Sequence, residues 1–311
     1  MAGESGTLRI GTRGSMLALQ QSNHVKESLE ACWPGLRVEL VIIKTTGDKI
    51  LDVPLAKVGG KGLFVKEIED ALLAREVDLA VHSIKDVPAE LPDGLAIVAI
   101  PPREDSRDVL VLRSGGSLAD LPRGARAGTS SLRRRAQLLR LRPDLCVENL
   151  RGNLDTRLRK VGEGLYDAIV LAAAGLHRMG WQDRISAYLD EKEFVPAIGQ
   201  GAIGIEARAD DEAVSRFLAP LHHLETAQAV EAERSLLREL EGGCQVPIGG
   251  HARVLGEEIE LTGLVASLDG ERVFRAVMKG PREEAGALGV RLAGKLLDSG
   301  AAEVLDEIYG K

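Results

Sequence analysis

Short apolar runs with β character alternate with longer amphipathic stretches through the first two-thirds of the chain. Such alternation restricts the fold to a mostly parallel α/β sheet, because parallel strands must be joined by crossovers that are usually helices. Strands are expected at 8–12, 38–44, 79–82 and 96–100, with helices over 15–31 and 64–75. Trp33-Pro34-Gly35 stops the first helix, since proline cannot continue it and glycine serves past its end. Pro101-Pro102 marks a hinge, and beyond it the pattern resumes: strands at 108–113, 125–128, 146–150 and 168–171, helices over 132–141 and 153–161. Two similar-sized α/β lobes around a cleft are the architecture this predicts, although no internal sequence repeat accompanies it. Parallel α/β sheets take their ligands outside the carboxyl ends of their strands. The last ninety residues differ. A helix over 225–241 ends at Gly242-Gly243, three strand-like runs follow (251–255, 258–268, 272–278), and Leu268-Asp269-Gly270-Glu271 reads as a hairpin turn. Helices over 282–297 and 301–308 complete a small α+β domain with an antiparallel sheet.

Composition removes several function classes. The 311 residues suggest two or three domains, and 44% hydrophobic with 28% charged residues is an ordinary soluble composition. Aromatics at 3% argue against a stacking platform for single-stranded nucleic acid. No apolar run approaches the ~20 residues that span a bilayer. Residues 1–7 hold an acid and no apolar core, which argues against a secretory signal. Cys32, Cys146 and Cys244 form no Cys-x-x-Cys pair, which fits a reducing cytoplasm and no metal site.

Two glycine motifs fail on context. Gly199-Gln200-Gly201-Ala202-Ile203-Gly204 spells the dinucleotide fingerprint, but that fingerprint opens a helix, whereas residues 203–208 alternate like a strand. Gly60-Lys61 is followed by Gly62 rather than Ser or Thr, and position 55 is Leu, so no P-loop is present.

Charge is more informative. Eleven basic residues lie between Arg123 and Lys160, opposed only by Asp144, Glu148 and Asp155; this block is locally +8 in a chain whose net charge is −7. A solvated helix face is one reading. The other is an anion site: Gly128-Thr129-Ser130-Ser131 follows a strand and opens a helix, presenting hydroxyls and free backbone N–H groups. Arg133, Arg134 and Arg135 then fall in the first helical turn, where cations oppose the helix dipole at ~0.3–1 kcal/mol each and a bound anion would relieve them. The block holds no Phe, Trp or Tyr, so a polycarboxylate fits it better than nucleic acid.

Three further positions stay open on the residues alone. Ser15, in Gly11-Thr12-Arg13-Gly14-Ser15, reads as a helix cap or as part of a second anion site. Asp86, in His82-Ser83-Ile84-Lys85-Asp86-Val87-Pro88, reads as a turn aspartate or as an ionised acid at a strand's carboxyl end, able to stabilise a cation or move a proton. Cys244, in Glu241-Gly242-Gly243-Cys244, reads as an incidental loop thiol or as an attachment point, with the helix C-terminus and Glu241 weighing against a reactive thiolate.

Taken in order, these segments resemble the hydroxymethylbilane synthase (porphobilinogen deaminase) family over essentially the whole chain. The resemblance rests on Gly11-Thr12-Arg13 with Ser15, Thr46-Gly47-Asp48, Gly59-Gly60-Lys61-Gly62-Leu63-Phe64 and the 82–88 segment. It continues through Gly128-Thr129-Ser130-Ser131-Leu132-Arg133-Arg134, Leu150-Arg151-Gly152-Asn153 with Arg157, Gly199-Gln200-Gly201 and Leu240-Glu241-Gly242-Gly243-Cys244. It implies two periplasmic-binding-protein-like α/β lobes around a cleft plus a small C-terminal α+β domain. Domain 1 would be 1–101 with 201–219, domain 2 would be 102–200 and domain 3 would be 220–311. It implies a dipyrromethane cofactor held covalently by a thioether to Cys244, and a transferase that joins four porphobilinogen molecules head to tail with loss of ammonia, then releases linear hydroxymethylbilane to water. Asp86 would be the catalytic acid/base, stabilising an azafulvene-like cation. Arg13, Ser15, Lys85, Thr129, Ser130, Ser131, Arg133, Arg134, Arg151 and Arg157 would bind cofactor carboxylates, with Arg13, Ser15, Arg151, Arg157 and Arg178 serving substrate. Lys57, Lys61 and Phe64 would belong to a flap. A cytoplasmic monomer without nucleic-acid or membrane partners is expected. Gly14 and Arg135 neighbour matched residues without being fixed by the family motif. Two other functions compete: a two-lobed binding module for a small anion, which leaves Cys244 unmodified and releases no ammonia, and a nucleic-acid binder, whose affinity would fall steeply with salt.

Overall fold

Strand β1 (Thr7–Thr12) and strand β2 (Arg37–Ile42) run parallel and are joined by helix α1 (Met16–Cys32). Ser15 caps α1 by accepting from the Ala18 N–H at 3.4 Å, and Gly35 takes the left-handed conformation (φ 100°) that turns the chain back. The computed structural model describes residues 6–49, 65–241 and 246–310; the expected flap residues Lys57, Lys61 and Phe64, and Cys244, lie outside the described residues. Contacts divide the described chain into two units: 6–49, 65–104 and 202–227 in one, 105–201, 228–241 and 246–310 in the other.

In the first unit, a helical turn α2 (Thr46–Lys49) and helix α3 (Lys66–Leu73) precede β3 (Leu79–Ser83) and β4 (Leu95–Ala99). The return segment adds β10 (Ile203–Arg208) and helix α7 (Glu212–Leu218). The sheet order is β2-β1-β3-β10-β4, with β10 antiparallel to both neighbours. Leu8, Ile10, Val25, Leu29, Val38, Leu79, Val81 and Ile205 form one core, and Ile68, Leu72 and Val77 cover the other face.

In the second unit, β5 (Asp108–Leu112), β6 (Arg126–Gly128), β7 (Cys146–Glu148), β8 (Ala168–Ala172) and the two-residue β9 (Ala187–Tyr188) pair in the order β7-β6-β8-β5-β9. Its helices are α4 (Leu132–Leu141), α5 (Leu154–Gly162) and α6 (Ala173–Arg178). Both five-stranded sheets therefore show two parallel then two antiparallel pairings. This corrects the expectation of mostly parallel sheets: apolar runs announce strands, but the direction of pairing is decided by where the chain re-enters, and β10 and β5 re-enter reversed.

The same unit holds the C-terminal sheet, β11 (Ile248–Leu255), β12 (Glu258–Ala266) and β13 (Val273–Pro281), antiparallel throughout. Helix α8 (Leu224–Glu239), of which 228–239 lie in this unit, packs on the sheet with α9 (Ala285–Leu296) and α10 (Ala302–Tyr309). Leu288, Leu292 and Leu296 repeat every four residues on α9 and are essentially buried, which stabilises by roughly 1.5–3 kcal/mol per side chain. The expected hairpin turn joins β12 to β13 and presses on α4. Gly270 has φ 75°, and a Cβ there would collide with the Ala136 carbonyl oxygen and stand 2.9 Å from the Arg140 nitrogen. Ala136, Val195, Leu264 and Ala266 form the small core that ties α4 to this sheet.

Candidate functional site

The expected site residues of the first unit gather at one end of its sheet. Arg13 and Ser15 follow the carboxyl end of β1, and Lys85 and Asp86 lie in a 3-10 turn (Ile84–Asp86) directly after β3, the parallel neighbour of β1. Two side-chain bonds pin α1 against these strand ends: Ser22 Oγ to Thr12 Oγ1 at 2.8 Å and Gln21 Nε2 to Ser83 Oγ at 3.0 Å. Arg13, Ser15 and Lys85 are half-buried and Asp86 is exposed. Beneath them, in the interior, the His82 imidazole stands 2.9 Å from the Glu206 carboxylate. Burial pushes the neighbouring Glu69 carboxyl up to about 7, with Glu206 adding to the rise and His82 opposing it.

In the second unit, Thr129, Ser130 and Ser131 follow β6, Arg151 and Arg157 follow β7, and Arg178 closes the helix that follows β8. β6 pairs in parallel with both β7 and β8, so all six come off the carboxyl ends of adjacent strands. Ser131 caps α4, its Oγ accepting from the Arg134 N–H at 3.4 Å, while its own N–H donates to Thr129 Oγ1 at 3.1 Å. Ser130 Oγ donates to the Leu150 carbonyl at 2.6 Å. Arg157 Nε donates to the Gly152 carbonyl at 2.7 Å and Arg178 Nη2 to the Gly201 carbonyl at 2.6 Å, bonds that aim both guanidiniums. An open pocket of about 270 Å³ is lined by Thr129, Ser130, Ser131, Arg135, Asn149 and Leu268. Arg135, which the sequence left without a direction, faces this pocket and donates to the Val147 carbonyl at 3.0 Å.

Arg133 and Arg134 are placed differently from what a bare helix start suggests. Both are buried, at 3% and 7% exposure, and their counter-charge is internal: Asp108, fully buried at the start of β5. Arg133 Nη1 lies 2.7 Å from Asp108 Oδ2, and Arg134 Nη2 lies 2.6 Å from Oδ1. Burial alone would raise the Asp108 carboxyl, but Arg133 and then Arg134 carry it down to about 2. Sequence reasoning missed Asp108. Its signal was available: a carboxylate opening the apolar run Val109-Leu110-Val111-Leu112 needs a buried cation.

The rejected dinucleotide motif behaves as a strand entry. Residues 199–202 lead into β10, and the Gly199 N–H donates to Glu233 Oε2 at 2.6 Å. Among the described residues, no three His, Cys, Asp or Glu side chains are placed to hold a metal, and no helix is long and apolar enough to cross a membrane.

What the fold and site define is a two-unit α/β protein with hydroxyls and arginines arrayed at the carboxyl ends of parallel strands. Residues 8–216 match the family model described as "Porphobilinogen deaminase, dipyromethane cofactor binding domain", and residues 227–298 match "Porphobilinogen deaminase, C-terminal domain". The chain is 67% identical to the porphobilinogen deaminase of Syntrophobacter fumaroxidans, over 97% of this chain and 98% of that one. It is 57% identical to that of Geobacter metallireducens, over 97% and 95%. The chain belongs to the porphobilinogen deaminase family. Solved structures similar to it include the alkanesulfonate-binding protein SsuA of Xanthomonas axonopodis pv. citri (17% identity, TM-score 0.38, 77% of this chain and 76% of that one). The BvgS periplasmic VFT2 domain of Bordetella pertussis is another (16% identity, TM-score 0.42, 68% and 85%).

Proposed function

We propose that this chain joins four porphobilinogen molecules head to tail on a dipyrromethane cofactor carried by Cys244, releases ammonia at each addition, and frees linear hydroxymethylbilane to water. The observation that carries the reading is the donor set of the second unit: three hydroxyl residues and three arginines off the carboxyl ends of three adjacent strands, all but Arg178 within the basic 123–160 block that holds no aromatic residue. Every pyrrole of this chemistry bears an acetate and a propionate, so a chain of such rings is a polycarboxylate. Arginine forks and hydroxyls suit it. The cofactor, when bound, supplies the acceptor carbon on which the product chain grows.

The residues divide the work. Thr129, Ser130, Ser131, Arg133, Arg134, Arg151 and Arg157, with Arg13, Ser15 and Lys85, hold cofactor carboxylates. Arg13, Ser15, Arg151, Arg157 and Arg178 hold those of substrate. Asp86, exposed on its 3-10 turn, accepts hydrogen bonds from pyrrole N–H groups and stabilises the positive charge that develops as ammonia leaves the aminomethyl carbon of porphobilinogen. Lys57, Lys61 and Phe64 belong to a covering flap. The chain works as a cytoplasmic monomer of three domains, 1–101 with 201–219, 102–200 and 220–311, without nucleic-acid or membrane partners.

Intact mass under denaturing conditions tests the proposal. The chain incubated with porphobilinogen gains the mass of two porphobilinogens less two ammonias on the Cys244 peptide, and Cys244→Ser gains none. A wild-type chain that takes up no mass is instead the small-anion binding module.

A further inference from the structure

Arg133 and Arg134 are adjacent, buried and alike in charge; burial lowers the Arg133 guanidinium, with Asp108 opposing the fall and Arg134 adding to it. Asp108 answers both with different atoms. Its Oδ2 meets Arg133 Nη1 at 2.7 Å, and its Oδ1 accepts from Arg134 Nε at 2.9 Å and Nη2 at 2.6 Å, so one carboxylate orients two guanidinium planes. Gln200 fixes the carboxylate in turn, donating from Nε2 to Asp108 Oδ1 at 3.1 Å and to the Ser106 carbonyl at 2.7 Å. Two backbone carbonyls and the Gln200 amide oxygen complete the set: Arg133 Nη1 also reaches the Val195 carbonyl at 2.6 Å, Arg134 Nη1 the Val170 carbonyl at 3.0 Å, and Arg134 Nη2 the Gln200 Oε1 at 3.4 Å. Two cations and one anion leave a single net positive charge in an interior where charge is strongly felt.

We propose that Asp108 sets the net charge that the buried Arg133–Arg134 pair presents to the cofactor, balancing the pair while the site is empty. The inference rests on the function proposed above. The leftover positive charge attracts a carboxylate, while Asp108 keeps the empty site from holding two uncompensated buried cations, which would destabilise the chain.

A salt bridge that only holds the fold and one that balances the charge the cofactor meets predict different responses to cofactor. The measurement is the melting temperature of the full chain, expressed without porphobilinogen and then loaded with it, for wild type, Asp108→Asn and Asp108→Glu. In Asp108→Asn both guanidiniums lose the carboxylate that pairs with them among the described residues, so the cofactor carboxylates count for more and the gap between loaded and empty forms widens by about 5 °C or more. Asp108→Glu keeps the charge and retains a gap near that of wild type. The same gap in Asp108→Asn as in wild type, or equal widening in both variants, overturns the proposal. If Asp108→Asn folds only when loaded, refolding from urea decides: porphobilinogen raises its yield several-fold more than that of wild type, and equal gains overturn the proposal. Failure of the underlying reading is separate, because then wild type itself takes up no covalent mass.

Discussion

Glu69 lies under the sheet end that carries Lys85 and Asp86, at 7% exposure, and its carboxyl is raised from 4.5 to about 7 by burial and by the nearby Glu206 carboxylate. Between those two pH values the folded chain holds a proton there that the unfolded chain has released. Stability therefore falls as pH rises through this window, with a slope of at most about 1.4 kcal/mol per unit. The rise from 4.5 to about 7 caps the loss above pH 7 at about 3 kcal/mol. Glu69→Gln keeps the shape and cannot ionise, so it should match wild type near pH 5 and exceed it by up to about 3 kcal/mol at pH 8. The reporter is built in. Trp33 belongs to the same unit and stacks edge-on against Phe217 with ring centroids 5.3 Å apart. Trp181, the second of the two tryptophans, lies in the other unit and is replaced by Phe in both backgrounds. Urea unfolding followed by Trp33 fluorescence at pH 5, 6, 7 and 8 then gives the difference directly. Two stability curves that stay parallel from pH 5 to 8 refute the reasoning.

Gly270→Ala strains a left-handed turn residue and drives a methyl into the Ala136 carbonyl; a loss of roughly 2–4 kcal/mol, read as a lower melting temperature, is expected. Asp86→Asn should leave circular dichroism and melting temperature unchanged while turnover of porphobilinogen falls by about a hundredfold or more. Unchanged turnover removes Asp86 from the mechanism. Ser15→Ala loses a cap bond that is long at 3.4 Å, so stability should drop by only about 0.5 kcal/mol. Any larger fall in cofactor occupancy, measured by mass, separates a binding hydroxyl from a capping one.

Local signals in the sequence carried the elements further than they carried the contacts. The α4 span of 132–141 and the strand over 203–208 were foreseen to the residue, because a hydroxyl-rich helix start and strict alternation are local features. Helix α6 was not foreseen: Ala173-Ala174-Gly175-Leu176 is buried all round and has no polar face to show a period. The expected site residues were nameable from motifs; of those described, the structure brings most off strand ends and buries Arg133 and Arg134 against Asp108. What holds Arg133 and Arg134 was not visible by spacing, since Asp108 lies 25 and 26 residues away on another element.

The position of β10 has a consequence for synthesis on the ribosome. It sits between β3 and β4, yet it is made roughly a hundred residues after β4, which at ~5–20 residues per second is several seconds or more. During that interval β3 and β4 have no strand between them, and each presents an open edge. The emerging chain must complete the whole of 105–201 before its first sheet can close. Nascent protein is thus most exposed to misassembly while the strand leading to Asp86 still lacks its neighbour.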